Sequence, residues 1–183
     1  MTELMEKEDE ILENEILDMP SKNHSFTMGR ITGLLFNDER FTVMPELSLD
    51  TSPIDLSQFK LKAKDELIPD ICVYRELPDD PVDELDNDIL KMTQMPELAI
   101  EIPSPKQGIE DILLKFKAYF ALGIKSCWLV IPSVKVIKIY SAQGNKIFDI
   151  QHDTQVFDEI MDIRLPIQSI FAKRTVAQSS RSG

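Results

Sequence analysis

The stretch that decides the fold runs Pro96-Glu97-Leu98-Ala99-Ile100-Glu101-Ile102-Pro103-Ser104-Pro105-Lys106-Gln107. Its first half, Pro96 to Ile102, is a compact apolar strand interrupted near its end by one acid, Glu101. Its second half carries helix-start chemistry: a serine for the N-cap, proline at the first helical position and glutamine at the third for a capping box. Gly123 is a natural stop, so the pattern predicts a helix over about 105–122. Ser126 to Ile131 then reads as a strand, and Val134 to Tyr140 as its neighbour across a Pro132-Ser133 turn. A second turn, Ala142-Gln143-Gly144-Asn145, leads to Lys146–Gln151. A strand, a crossing helix and a strand, followed by a β-meander, make a mixed α/β (α+β) domain.

Working outward, Met28, Ile31, Leu34 and Leu35 fall at helical spacing, in a helix expected from Asn23 to Asn37-Asp38 with Asn23 or Ser25 as its cap. Phe41 to Leu47 reads as a strand. Phe59 to Lys64 alternates apolar residues with lysines and predicts another, with Asp50-Thr51-Ser52-Pro53 as the turn between them. Ile68 to Tyr74 is a third strand, entered through Pro69. Leu77 to Asp88, with two prolines and six acids, is expected to be a loop.

The chain of 183 residues is 43% hydrophobic and 28% charged, which suits one soluble domain and excludes a disordered chain. No apolar run approaches the roughly 18 residues of a membrane span, and the acidic start is unlike a secretory signal. Cys72 and Cys127 have no zinc-ligand spacing with His24 and His152. Both read as small buried hydrophobes of a reducing, cytoplasmic protein. The net charge of −12 argues against nucleic acid only on average. Residues 1–18 carry eight acids and one base, and residues 65–97 eleven acids and two bases, whereas the rest is close to neutral. The expected organisation is an acidic arm over 1–18, a single domain over 19–174 and a flexible tail over 175–183.

Glycine-rich phosphate loops and nucleophile elbows are absent. What remains is a pair of carboxylates. Asp70 opens one strand and Glu101 nearly closes another. On neighbouring strands both could meet on one face and hold a hard cation through oxygen, although acids at strand ends are also often merely solvated. On the helix, Ile109, Ile112, Leu113, Phe116 and Phe120 form the apolar face, with Lys115 on its border beside Tyr119. Spacing leaves Lys115 two choices, the carboxylates or Asp111 at i−4.

Four segments in order carry a resemblance. They are Ile68-Pro69-Asp70-Ile71, then Pro96 to Pro105 as quoted, then Asp111, Lys115 and Tyr119 at intervals of four, then Gly123-Ile124 with Trp128-Leu129-Val130 and Pro132. Together they resemble the Uma-two family of "putative restriction endonucleases", within the PD-(D/E)xK nuclease superfamily. The resemblance implies a restriction-endonuclease-like core, a mixed β-sheet flanked by helices. It implies that Asp70 and Glu101 are metal-binding acids, joined by the backbone carbonyl of Ile102. Pro103 stands where superfamily members often carry lysine, and Lys115 on the following helix takes that place. The catalytic set implied is Asp70, Glu101 and Lys115, with Mg²⁺ or Mn²⁺ as cofactor, DNA as substrate and a homodimer for duplex cleavage. The helix from Asn23 supplies no acid, unlike many superfamily nucleases. His24 at its start is expected to be a capping or surface residue, or else to touch DNA or the leaving group. The alternative function is a non-catalytic interaction protein whose acidic surface binds a basic partner.

Overall fold

The computed structural model describes residues 20–63, 65–76 and 89–172; the acidic arm, the loop 77–88, Lys64 and the tail expected over 175–183 lie outside them. Helix α1 spans Lys22–Phe36. Strands β1 (Thr42–Pro45), β2 (Leu49–Asp50), β3 (Glu66–Leu67), β4 (Ile71–Tyr74) and β5 (Leu98–Glu101) follow, then helix α2 (Ile109–Ala121). Strands β6 (Ser126–Ile131), β7 (Val136–Ser141), β8 (Gly144–Asp149), β9 (Gln155–Asp158) and β10 (Ile163–Pro166) lead to a short helix α3 (Ile167–Phe171).

The main sheet has six strands in the order β1-β4-β5-β6-β7-β8. Only β5 and β6 are parallel, and α2 makes the crossover between them, as the strand–helix–strand pattern predicts. The meander β6-β7-β8 is antiparallel throughout. The pairs β2-β3 and β9-β10 form separate two-stranded sheets, and β9-β10 carries no signal that the sequence reading used.

Both faces of the sheet are covered, which is why its central strands read as continuous apolar runs rather than alternating ones. Every residue of β4 and β5 is buried. Ile71, Val73, Leu98, Ile100, Trp128 and Val130 face one core, shared with Ile31 and Leu35 of α1. Cys72, Tyr74, Ala99, Cys127 and Leu129 face the other, shared with Ile112, Phe116 and Tyr119 of α2. The two cysteines are free and buried. No helix among the described residues is long and apolar enough to cross a membrane.

Three local expectations are corrected. Of the expected Phe59–Lys64 strand, the described residues 59–63 form none. Asp55 caps the backbone of Ser57 at 2.9 Å, residues Leu56–Phe59 wind into a 3₁₀ turn, and Lys60 closes it in the left-handed conformation with φ 59°. Local turn chemistry overrides the period-two pattern there. The N-cap of α1 is Ser21, whose hydroxyl accepts from the His24 N–H at 3.2 Å, two residues before Asn23 and four before Ser25, the expected caps. Helix α2 starts at Ile109, not 105. Gln107 does reach back to the Ser104 N–H at 3.1 Å, but this closes an isolated turn, and Gly108 in extended conformation then restarts the helix.

The β9-β10 unit is tied to the sheet by one buried carboxylate. Asp158, 1% exposed, accepts from Ser126 Oγ at 2.6 Å and Trp128 Nε1 at 2.7 Å. It also accepts from the backbone N–H groups of Ile160 and Met161. Removing that acceptor strands four donors, two of them on β6, in a buried place. Asp158→Ala is therefore expected to lower stability by roughly 2–4 kcal/mol in urea unfolding.

Candidate active site

The register that pairs Ile71 with Ile100 sets Asp70 one step beyond β4, beside Glu101 at the end of β5. Alternation places Glu101 on the same face as Ala99, under α2. A strand end at which the chain enters β4 through Pro69 and leaves β5 through Pro103 thus brings together two acids that are 31 positions apart in sequence.

Each acid is held by two donors. Asp70 Oδ2 accepts from the Ile102 N–H at 2.6 Å, and Oδ1 from His24 Nε2 at 2.9 Å. Glu101 Oε1 accepts from the Tyr119 hydroxyl at 2.6 Å, and Oε2 from Lys115 Nζ at 3.4 Å. Glu101 is 4% exposed. Burial, with the charge of Asp70 adding to it, pushes its carboxyl up to about 7 against the opposing pull of Lys115 and Tyr119. Burial and the neighbouring Glu101 push the Tyr119 phenol well above its ordinary value. The Asp70 hydrogen bond raises the His24 imidazole against desolvation.

The choice that spacing left open for Lys115 is resolved by the rotation of α2. Its buried face is Ile112, Phe116, Ala118 and Tyr119, whereas Ile109 and Phe120, expected inside, are 44% and 36% exposed. A face centred on Ile112, Phe116 and Tyr119 turns Lys115 towards the sheet. Lys115 and Tyr119, at i and i+4, then meet the same carboxylate.

The expected residues Asp70, Glu101, Ile102 and Lys115 thus come together. Ile102 contributes its N–H to Asp70. Two participants were missed. Tyr119 was seen only as Lys115's neighbour on the helix, though its i+4 spacing already offered a second hand on one ligand. His24 was expected to cap or to lie on the surface. It is neither: Ser21 is the cap, and His24 is buried, at 7% exposed, with its ring bound to Asp70.

The donor set suits a hard divalent cation. It consists of carboxylate oxygens, and burial together with the charge of Asp70 makes ionised Glu101 costly, a cost that a cation between the two acids would offset. Among the described residues no three His, Cys, Asp or Glu side chains form a metal-ligating group. An ion here would depend on two carboxylates, with backbone oxygen and water completing its shell, which is how Mg²⁺ is commonly held.

Compared with models of protein families, residues 5–167 match Uma2, described as "Putative restriction endonuclease". The chain belongs to the Uma2 family. Among solved structures, the Uma2 chain is similar to one from Anabaena variabilis described as "a putative nuclease belonging to DUF820". That similarity has a TM-score of 0.64 and 19% identity, and covers 84% of this chain and 82% of the other. At that identity it establishes a shared nuclease-like fold. Comparison with curated proteins finds no match.

The Tyr119–Glu101 bond generates a stability test. Tyr119→Phe leaves the ring's packing in place but deprives a buried carboxylate of its shortest donor. The loss expected in urea unfolding is roughly 1–2 kcal/mol. A variant as stable as the wild type would mean that Glu101 finds another donor.

Proposed function

We propose that this Uma2 protein is a metal-dependent endonuclease that hydrolyses DNA phosphodiester bonds with Mg²⁺ or Mn²⁺. The observation that supports it best is the convergence of Asp70, Glu101 and Lys115 at one end of the sheet, with the amine 3.4 Å from Glu101. Asp70, Glu101 and the Ile102 backbone carbonyl are the proposed ligands. A divalent cation bound there supplies Lewis-acid activation of water and of the scissile phosphate.

The chain's own groups supply the rest. Asp70, about 20% exposed, is the ligand open to solvent, and its two donors fix its orientation. Glu101 is inside, aligned by Tyr119. The side chain of Lys115 is 27% exposed, against 5% for Glu101, so its amine can meet a phosphate oxygen or the attacking water without leaving its partner. There it offsets charge that develops on the phosphate. The 3₁₀ turn packs on α2, placing exposed Lys60 and Lys62 near that helix, where they can bind flanking phosphates. A homodimer would present two such sites to the two strands of a duplex. Cytoplasmic conditions would keep Cys72 and Cys127 reduced.

Purified protein with Mn²⁺ is expected to nick plasmid or cut single-stranded DNA, less well as salt rises. Glu101→Ala is expected to abolish cutting with the fold intact. Lys115→Ala is expected to slow it by roughly 10²–10³-fold while metal affinity stays nearly unchanged, because its role belongs to the transition state. Wild-type protein inert on duplex, single-stranded and nicked DNA with either metal would overturn the enzyme reading in favour of an interaction protein on a nuclease fold.

A further inference from the structure

We infer that His24 is a positioning residue for the metal site: its Nε2–H holds the Asp70 carboxylate in the orientation that binds the cation. The inference rests on the proposed metal site and assigns to helix α1 a part in it that its lack of acids had seemed to deny.

The geometry is specific. The buried residues of α1 are His24, Thr27, Ile31 and Leu35, spaced three and four apart, so His24 is the first member of the stripe that faces the sheet. Ile31 and Leu35 of that stripe pack on the core, while His24 at its start reaches the strand ends, where Asp70 stands. Ser21 fixes the His24 backbone through its cap, so the ring projects from a rigid element. An ionised carboxylate can only accept a hydrogen bond. The 2.9 Å contact therefore places the ring proton on Nε2, whatever the state of the other nitrogen.

That other nitrogen is the second observation. His24 Nδ1 is buried and has no hydrogen-bond partner, which carries a desolvation cost. For packing alone, an apolar side chain at this position would avoid the cost. The ring's single polar bond goes to Asp70, and it complements the Ile102 N–H on the opposite oxygen. With one donor on each oxygen, the carboxylate plane is set by two independent elements, the strand β5 exit and the first turn of α1. Each oxygen keeps a further lone pair for a cation. Partners that orient a metal ligand in this way typically contribute 10–100-fold to metal affinity.

The test is Mn²⁺ binding by calorimetry to the wild type and to His24→Phe, His24→Gln and Asp70→Ala, with circular dichroism to confirm folding. His24→Phe retains an aromatic ring and loses the donor; His24→Gln retains an N–H near the position of Nε2. The expected result is about 10–100-fold weaker Mn²⁺ binding in His24→Phe and recovery of most of that loss in His24→Gln. A purely structural histidine would not be rescued by glutamine. Should His24→Phe fail to fold, His24→Leu takes its place in the comparison. Wild-type affinity in the donorless variant, or equal losses in it and in His24→Gln, overturns the inference and leaves the metal site standing. Asp70→Ala binding Mn²⁺ as tightly as the wild type, or no uptake by the wild type, overturns the metal site and this inference together.

Discussion

A carboxylate at the end of a strand that is covered on both faces is the constraint around which the rest of the site is arranged. Glu101 closes β5, all four of whose residues are buried, and ionising an acid there is costly unless donors and positive charge surround it. The surrounding groups come from α2, as the hydroxyl of Tyr119 and the amine of Lys115. The compensation is incomplete, and the carboxyl remains pushed up to about 7. Apolar packing alone would not select an acid here. The crossover topology explains how the helix can serve it. The β5-α2-β6 crossover lays α2 across the face that carries Glu101, so the connection that makes the parallel pair also delivers the donors.

The same logic divides the site between the two faces of the sheet. On the α2 side lies the inner acid with its cation and phenol. From the α1 side comes a histidine that reaches the outer acid at the strand end. Asp70 is the junction, because it is bonded both to the β5 exit and to α1. A change in how either helix docks would therefore be felt by one carboxylate first, and the two acids report on different cores: Ile31 and Leu35 for one, Ile112 and Phe116 for the other.

How much of this was legible in the sequence depends on the range of the interaction. The strand–helix–strand unit and the meander were readable, since continuous apolar runs and turn residues are local signals that the tertiary structure reinforces. The metal-binding role proposed for Asp70 and Glu101 rests on their strand-end placement and on motif order, while their adjacency is a feature of the sheet. What local patterns misread were places where two signals compete. Phe59 to Lys64 alternates as a strand does, yet Asp55 winds the preceding residues into a 3₁₀ turn. Ser104 to Gln107 has the composition of a helix start, yet Gly108 interrupts it. His24 was placed at the start of the helix but not against Asp70, because that partner lies 46 positions away and the stripe it begins was read from Met28 onward.

Placing the cation on a helix rather than on the strand has a physical consequence. Pro103 occupies the position two residues after Glu101, where a lysine on the same strand would be fixed by backbone pairing alone. Proline removes an N–H and ends the ladder there, so the chain turns away and the charge must come from elsewhere. Lys115 is positioned instead by the rotation of α2, which the burial of Ile112, Phe116 and Tyr119 decides. Ile109 and Phe120 at the helix ends are partly exposed, so the central turn of the helix, not its overall hydrophobicity, aims the amine. The chemistry proposed for the site is thus coupled to a packing interface: a substitution at Phe116 that touches neither carboxylate would still displace the cation that one of them depends on.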